Sequence, residues 1–328
     1  MVSAKELGER KIIQLITTCL EPMPNAPIPF GDDASAIDLG NNKLVVINTD
    51  MLVAKTDVPE SMTLWQAARK AVIMNISDLA AKGTKPTAVL ASLGLPENLT
   101  EEEIIEIGKG LNAGAKEYGT YVIGGDTNQA QDVTINCVAL GICQSGHLIK
   151  RSGAKAGDIV AVTGAFGKTA AGLKILIANL SGPDDSGALV DSVLMPRARV
   201  KEGVALAQSQ TATASIDTSD GLAWSLHELS QASGVGFCLD YLPVAVEAEN
   251  FAKHHGFDPN ELALYGGEEY ELLVTINPQL WKKAKQAVET VGGELIKIGV
   301  ATEQKQVIIK TGNGTVAVEA RGWEHFKT

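Results

Sequence analysis

The stretch TLWQAARKAVIMNISDLAAKGTKP, residues 63–86, reads as a single helix, and its composition decides how the rest of the chain must be arranged. Thr63 and Gln66 stand at capping-box spacing, Gly83 can take the left-handed position past the last turn, and Pro86 blocks continuation. Leu64 to Lys82 would span roughly 28 Å at 1.5 Å per residue. Leu64, Trp65, Ala67, Ala68, Ala71, Val72, Ile73, Met74, Ile76, Leu79, Ala80 and Ala81 leave almost no polar face, which predicts burial on most sides. Asn75 and Asp78, three apart, share one face of this apolar helix. A buried carboxylate needs a cation or several donors to offset its desolvation. Asp78 therefore pairs with Lys82 one turn later, bonds a neighbouring loop, or belongs to a larger acidic site.

The 328 residues suffice for two domains with their own cores, and 45% hydrophobic residues with 33 Gly and 12 Pro describe a globular chain. The start, MVSAKELGERKIIQLITT, mixes charged and aliphatic residues at helical spacing and reads as a first helix, neither signal peptide nor membrane span. Cys19, Cys137, Cys143 and Cys238 show no metal-binding spacing, as expected of reduced thiols in a cytoplasmic protein. Thirty-nine acidic against 28 basic residues give a net charge of −11, which argues against nucleic acid as partner. Such a chain binds phosphates by recruiting divalent cations.

Outward from the helix, the proline-rich run EPMPNAPIPFGDD delivers the chain to Gly31, Asp32 and Asp33. A strand pair follows, Ala34 to Asp38 and Lys43 to Thr49, ending at Thr49 and Asp50. Ala88 to Leu95 reads as a strand, Thr100 with Glu103 caps a second amphipathic helix, and Tyr121 to Ile123 reaches a turn at Gly124-Gly125-Asp126-Thr127. Val133 to Cys143 is the next strand. The polar loop from Gln144 to Gly157 marks a boundary, giving domains 1–148 and 149–328. Beyond it, Ser215 to Asp220 leads into a helix from Leu222 to Ser233, with strands near Gly236 to Asp240, Glu271 to Ile276 and Leu295 to Val300. Clean βαβ repeats are scarce. The expectation is α+β, with helices on one face of mixed sheets, rather than a doubly wound parallel fold.

Gly167-Lys168-Thr169 suggests a phosphate-binding loop, but the position five before Gly167 is Val162, so the loop is too short to wrap a β-phosphate and reads as a tight strand-to-helix turn. No HExxH or GxSxG is present. The acidic set differs: Asp33 in GDD, Thr49-Asp50, Asp78 in NISD, Asp126 in GGDT, and Asp217 with Asp220 in SIDTSDG. Each has a local explanation, Asp220 as a helix cap, Asp126 as a turn residue, Asp33 as an Asx-turn. Together they offer hard oxygen ligands for several Mg²⁺ ions, with glycines that let backbone amides approach phosphates.

GDDASAI, NTDMLVAKTDVP, NISDLAAKGTKP, IGGDT, KRSGAKAGD, SIDTSDGL, GGEEYEL and GWEHF, in order from Gly31 to Phe326, resemble the thiamine-monophosphate kinase family of the aminoimidazole ribonucleotide synthetase-like superfamily. Related superfamily enzymes that depend on a reactive Cys near an N-terminal glycine loop fit less well, since Cys19 lies outside any such loop. The resemblance implies a two-domain synthetase-like fold, a homodimer whose N-terminal halves pair into a central β-barrel, and an α+β C-terminal domain. It implies phosphorylation of thiamine monophosphate by ATP. It also implies that Asp33, Asn48, Thr49, Asp50, Asp78, Asp126, Asp217 and Asp220 hold Mg²⁺, Asn48 through its backbone carbonyl. Gly125, Asp126, Arg151 and Ser219 would contact ATP, while Asp57, Glu268 and Trp323 would face the thiamine end.

The chain departs from the family pattern in two places. Lys55-Thr56-Asp57 stands where a His is frequent, and Gly267-Glu268-Glu269-Tyr270 replaces Gly-Glu-Asp-Tyr. Arg151 reads either as a phosphate contact or as a solvated loop charge, and Trp323 either as a stacking platform or as a terminal core anchor. Two other classes share the aspartates: an Mg-ATP enzyme that activates an amide or carboxylate oxygen, and a non-enzymatic acidic metal-binding protein.

Overall fold

The protein's computed structural model describes residues 2–178, 180–181, 186–312 and 314–326. The 63–86 stretch is one helix, Leu64–Ala81, with a reciprocal Thr63–Gln66 capping box and Gly83 at φ 68°. Its burial has a simple cause. Gly110, on the helix Glu101–Glu117, sits so close that an added Cβ would lie 2.1 Å from the Trp65 carbonyl oxygen, and Gly203, on Val200–Ser209, comes equally close to that of Ala80. Glycine at both contacts lets two helices flank the central one, and a sheet takes its third side.

That sheet comprises β1 (Ser35–Gly40), β2 (Lys43–Val53), β3 (Pro86–Leu95), β4 (Val122–Gln129) and β5 (Thr134–Gln144), in the order β1-β2-β5-β3-β4. Only β3 and β4 run parallel. The second sheet holds β6 (Ile159–Val162), β7 (Ala212–Asp217), β8 (Gly236–Leu239), β9 (Leu272–Ile276), β10 (Ile296–Thr302), β11 (Val307–Thr311) and β12 (Gly314–Ala317), ordered β12-β11-β8-β10-β6-β9-β7. Both sheets are mixed, as the α+β reading expects, and neither is closed among the described residues. The largest hydrophobic cluster runs from β2 and the central helix through to Leu272, Val274 and Ile276 of β9. The two sheets therefore share one core across the central helix.

Three local expectations differ from the structure. The first helix is two, Ala4–Leu7 and Glu9–Thr17, parted at Gly8 with φ 74°. β2 continues past Thr49 to Val53 because β5 pairs with it residue for residue. Gly124 to Thr127 form part of β4 rather than a turn, since the β3 backbone pairs with all four. No helix among the described residues is long and apolar enough to cross a membrane.

Candidate functional site

Alternation along β2 sorts the first candidates. Leu44, Val46, Asn48 and Leu52 are buried, and Asp50 shares their parity, whereas Thr49 and Met51 are exposed on the other face. Asn48 and Asp50 thus point at the central helix. Asn48 Nδ2 donates to Asp78 Oδ2 at 2.8 Å and to Asn75 Oδ1 at 3.3 Å, and Asn75 Oδ1 also accepts from the Asp50 amide at 3.0 Å. Thr49 instead donates to Asn136 Oδ1 and the Cys137 carbonyl on the outer side.

The GDD loop reaches the same helix one turn further on. Lys82, wholly buried, pairs with Asp32 and with Asp33 Oδ2, the latter at 2.7 Å, and donates to the Ser215 carbonyl. Lys82 does not pair with Asp78. Arg151 grips Asp33 from the other side, with Nε to Oδ1 at 2.9 Å, and reaches Glu228 and the Gly31 carbonyl. It is a built part of the site, not a solvated loop charge. From β7, Asp217 accepts from Ser77 Oγ at 2.6 Å and from Ser219 Oγ at 3.2 Å.

Asp33, Asp78 and Asp217 converge, each offering a carboxylate oxygen within 4.8 Å of the others. Their electrostatics follow. Burial would raise Asp33, but Arg151 and Lys82 outweigh it and hold its carboxyl below the usual value. Burial, then the charges of Asp50 and Asp217, push Asp78 well up. Asp50 rises to about 6 and Asp217 to about 7, mainly through burial, with the Asp33 charge adding to each. Carboxylates crowded at this cost suit a cation. Asn48 Oδ1, buried without a hydrogen-bond partner, supplies a further hard oxygen beside them. The donor set therefore fits Mg²⁺.

Asp220 lies apart from the cluster. Gly221, not Asp220, occupies the cap position of the helix Leu222–Ser233, and the Asp220 carboxylate stands 3.7 Å from Arg10, its pKa raised to about 6 chiefly by burial. Both line a cavity of about 740 Å³ together with Gly31, Asp32, Arg151 and Glu228. That volume is of the size that small-molecule sites enclose.

At the opposite end of the central helix, Lys70 pairs with Glu268 and donates to the Asp57 carbonyl at 2.9 Å. The Asp57 carboxylate closes its own one-turn helix by accepting from the Val53 amide at 2.7 Å. Trp323 packs beside Gly267, takes an edge-on contact with His325, donates its amide to the Asp220 carbonyl, and remains 39% exposed. A buried core anchor would not be so open. Gly125 and Asp126 lie on the edge strand β4, and by register Asp126 aligns with Ser92 and Asn136, on the outer-face parity, away from Asp78.

The glycine turn at Gly167 binds a carboxylate of the chain itself. The Gly167 and Thr169 amides both donate to Glu269 Oε1. Sequence reading missed Lys70 as a site component, although a lysine in so apolar a helix was a visible signal.

Residues 31–143 match the AIR synthase related protein N-terminal domain and residues 155–311 its C-terminal domain. The chain is 37% identical over 324 residues to a thiamine-monophosphate kinase of Pyrococcus horikoshii, covering 98% of this chain and 97% of that one. It is 31% identical to the thiamine-monophosphate kinase of Bacillus subtilis, covering 98% and 100%. A solved structure, AaThiL complexed with AMPPCP and TMP, superposes with a TM-score of 0.87 at 30% identity over 99% of both chains.

Proposed function

We propose that this chain, which belongs to the thiamine-monophosphate kinase family among the AIR synthase related proteins, transfers the terminal phosphoryl group of ATP directly to thiamine monophosphate, yielding thiamine diphosphate and ADP. The observation that carries the chemistry is the convergence of Asp33, Asp78 and Asp217 beside a cavity of nucleotide size.

The acceptor is a phosphate oxygen, largely ionised near neutral pH because its second pKa is about 6, so no side chain need act as general base. The difficulty is repulsion between two polyanions. Asp33, Asp50, Asp78 and Asp217, with Asn48, would hold Mg²⁺, which would supply the neutralising charge, and Asp220 offers one more carboxylate on the cavity wall. Arg151, fixed between Asp33 and Glu228, presents a planar cation on the cavity wall to orient donor phosphates, and Ser219 lies between Asp217 and Glu268. Glu268 and Trp323, with the turn ending at Asp57, form the thiamine end.

The quaternary arrangement belongs to the same reading. Ile37, Leu39, Met51, Leu90, Ile123 and Ile142 are exposed on the five strands of the N-terminal sheet. A second copy covering this face, as a homodimer whose N-terminal halves complete a β-barrel, would bury them, and would place Thr49, Gly125 and Asp126 at the interface rather than in open solvent. The division into domains 1–148 and 149–328 and a cytoplasmic location, in keeping with four free cysteines, complete the proposal.

The test is ADP release from Mg-ATP with thiamine monophosphate, free thiamine and an aminoimidazole precursor compared side by side. Turnover confined to thiamine monophosphate is the expected result. Equal turnover of free thiamine, or preference for the precursor, overturns the assignment, and metal binding without nucleotide turnover would make the protein a non-enzymatic binder.

A further inference from the structure

We infer that Lys70 is a positioning residue for thiamine recognition, acting through Glu268; this rests on the assignment of Glu268 to the thiamine end. Lys70 is 1% exposed on the central helix, and a lysine is not left there without partners. Its ammonium meets two groups from distant segments, the Glu268 carboxylate and the Asp57 carbonyl. One buried cation thereby joins the turn after β2, the central helix and the 266–270 loop.

Glu268 needs such an anchor. It sits at φ 62°, a left-handed conformation that costs a non-glycine residue energy, and its amide donates to the Ser219 carbonyl at 2.6 Å. Gly267 presses so closely on the Ser219 carbonyl and Trp323 that an added Cβ would come within 2.8 Å and 3.3 Å of them. The loop is thus folded back against both the ATP-side serine and the exposed indole. The ion pair fixes one carboxylate oxygen, Oε1, on Lys70. Glu268 remains 23% exposed, which leaves its carboxylate accessible to a ligand carrying a fixed cationic ring and an amino donor. Lys70 is eight residues before Asp78 on the same helix, about 12 Å along its axis at 1.5 Å per residue, so one rigid element sets the spacing between the thiamine end and the metal cluster.

The test compares steady-state kinetics of the full-length Lys70→Met, Lys70→Arg, Glu268→Gln and Lys70→Met/Glu268→Gln variants with Mg-ATP and thiamine monophosphate. Lys70→Met should raise KM for thiamine monophosphate at least about tenfold while leaving KM for ATP within about twofold, and Lys70→Arg should recover part of the loss. In the Glu268→Gln background, Lys70→Met should add less than about twofold, because the carboxylate it positions is gone. That neutral double variant leaves no unpaired buried charge, so it serves if Lys70→Met alone does not fold. Multiplying effects in the double variant, or equal rises in KM for both substrates, would overturn the role of Lys70. An unchanged KM for thiamine monophosphate in Glu268→Gln would instead remove the premise that Glu268 faces thiamine.

Discussion

Lys82 lies 2.7 Å from Asp33, forty-nine positions earlier in the chain, and does not pair with Asp78, four positions before it on its own helix. The consequence reaches through the whole site. Asp33 has two cations of the chain beside it, which hold its carboxyl low, while Asp78, pushed up by burial and by Asp50 and Asp217, has no ion-pair partner among the described residues.

Asp78→Asn should therefore lower turnover by at least about a hundredfold without lowering the melting temperature, since it removes a buried charge that its neighbours repel. Lys82→Met should do the reverse in stability, costing about 3–5 kcal/mol by taking the ammonium from the buried Asp32 carboxylate and leaving Asp33 to Arg151 alone. Thermal melts and single-turnover rates of the two variants separate the roles. Full activity in Asp78→Asn would take the residue out of the metal cluster.

The raised carboxylates give the ion-free protein a pH dependence of definite sign. Asp50 and Asp217 hold protons in the folded chain up to about 6 and about 7, which the unfolded chain releases near 4. The folded state then binds more protons between these values, so their contribution to stability is complete below about pH 4 and is lost as pH rises to about 7. Asp33, held low by Arg151 and Lys82, contributes above its unfolded value and is lost on acidification. Melting in EDTA should fall between pH 5 and pH 8, and Mg²⁺ should raise it more at pH 8 than at pH 5. Equal stabilisation by Mg²⁺ at both values would contradict the assignment.

Chelation should abolish phosphoryl transfer while leaving the far-ultraviolet circular dichroism largely intact, because the shared core is formed by aliphatic side chains independently of any ion. Unfolding on addition of EDTA would make the aspartates structural.

Trp323→Ala should raise KM for thiamine monophosphate by roughly five- to thirtyfold, the equivalent of losing about 1–2 kcal/mol of stacking, with ATP affinity nearly unchanged. Its partly exposed ring makes a fall of several degrees in melting temperature, with both substrates binding normally, the contrary outcome.

Ile123→Glu, at an exposed position of β4, should reduce the solution mass from two chains to one, as measured by sedimentation equilibrium. An unchanged dimer would place the interface elsewhere.

The sequence by itself determined the central helix to within a residue, its capping box, the strand and helix order around it, and the acidic motifs, because capping, periodicity and glycine turns act over only a few residues. It also exposed the short glycine turn at Gly167 as no phosphate loop, and the structure fills that turn with Glu269. Tertiary structure alone decided which carboxylates meet. Thr49 and Asp50 are neighbours in sequence, yet the β2 pleat sends them to opposite faces, and the pairing of β3 with Gly124–Thr127 turns an apparent loop into an edge strand that holds Asp126 away from Asp78. The partners of Lys82 and Lys70 come from segments brought in by packing of the two sheets around one helix. Charge pairing in a core goes to whichever groups packing places within reach, and that is a property of the assembled layers, which spacing along the chain does not encode.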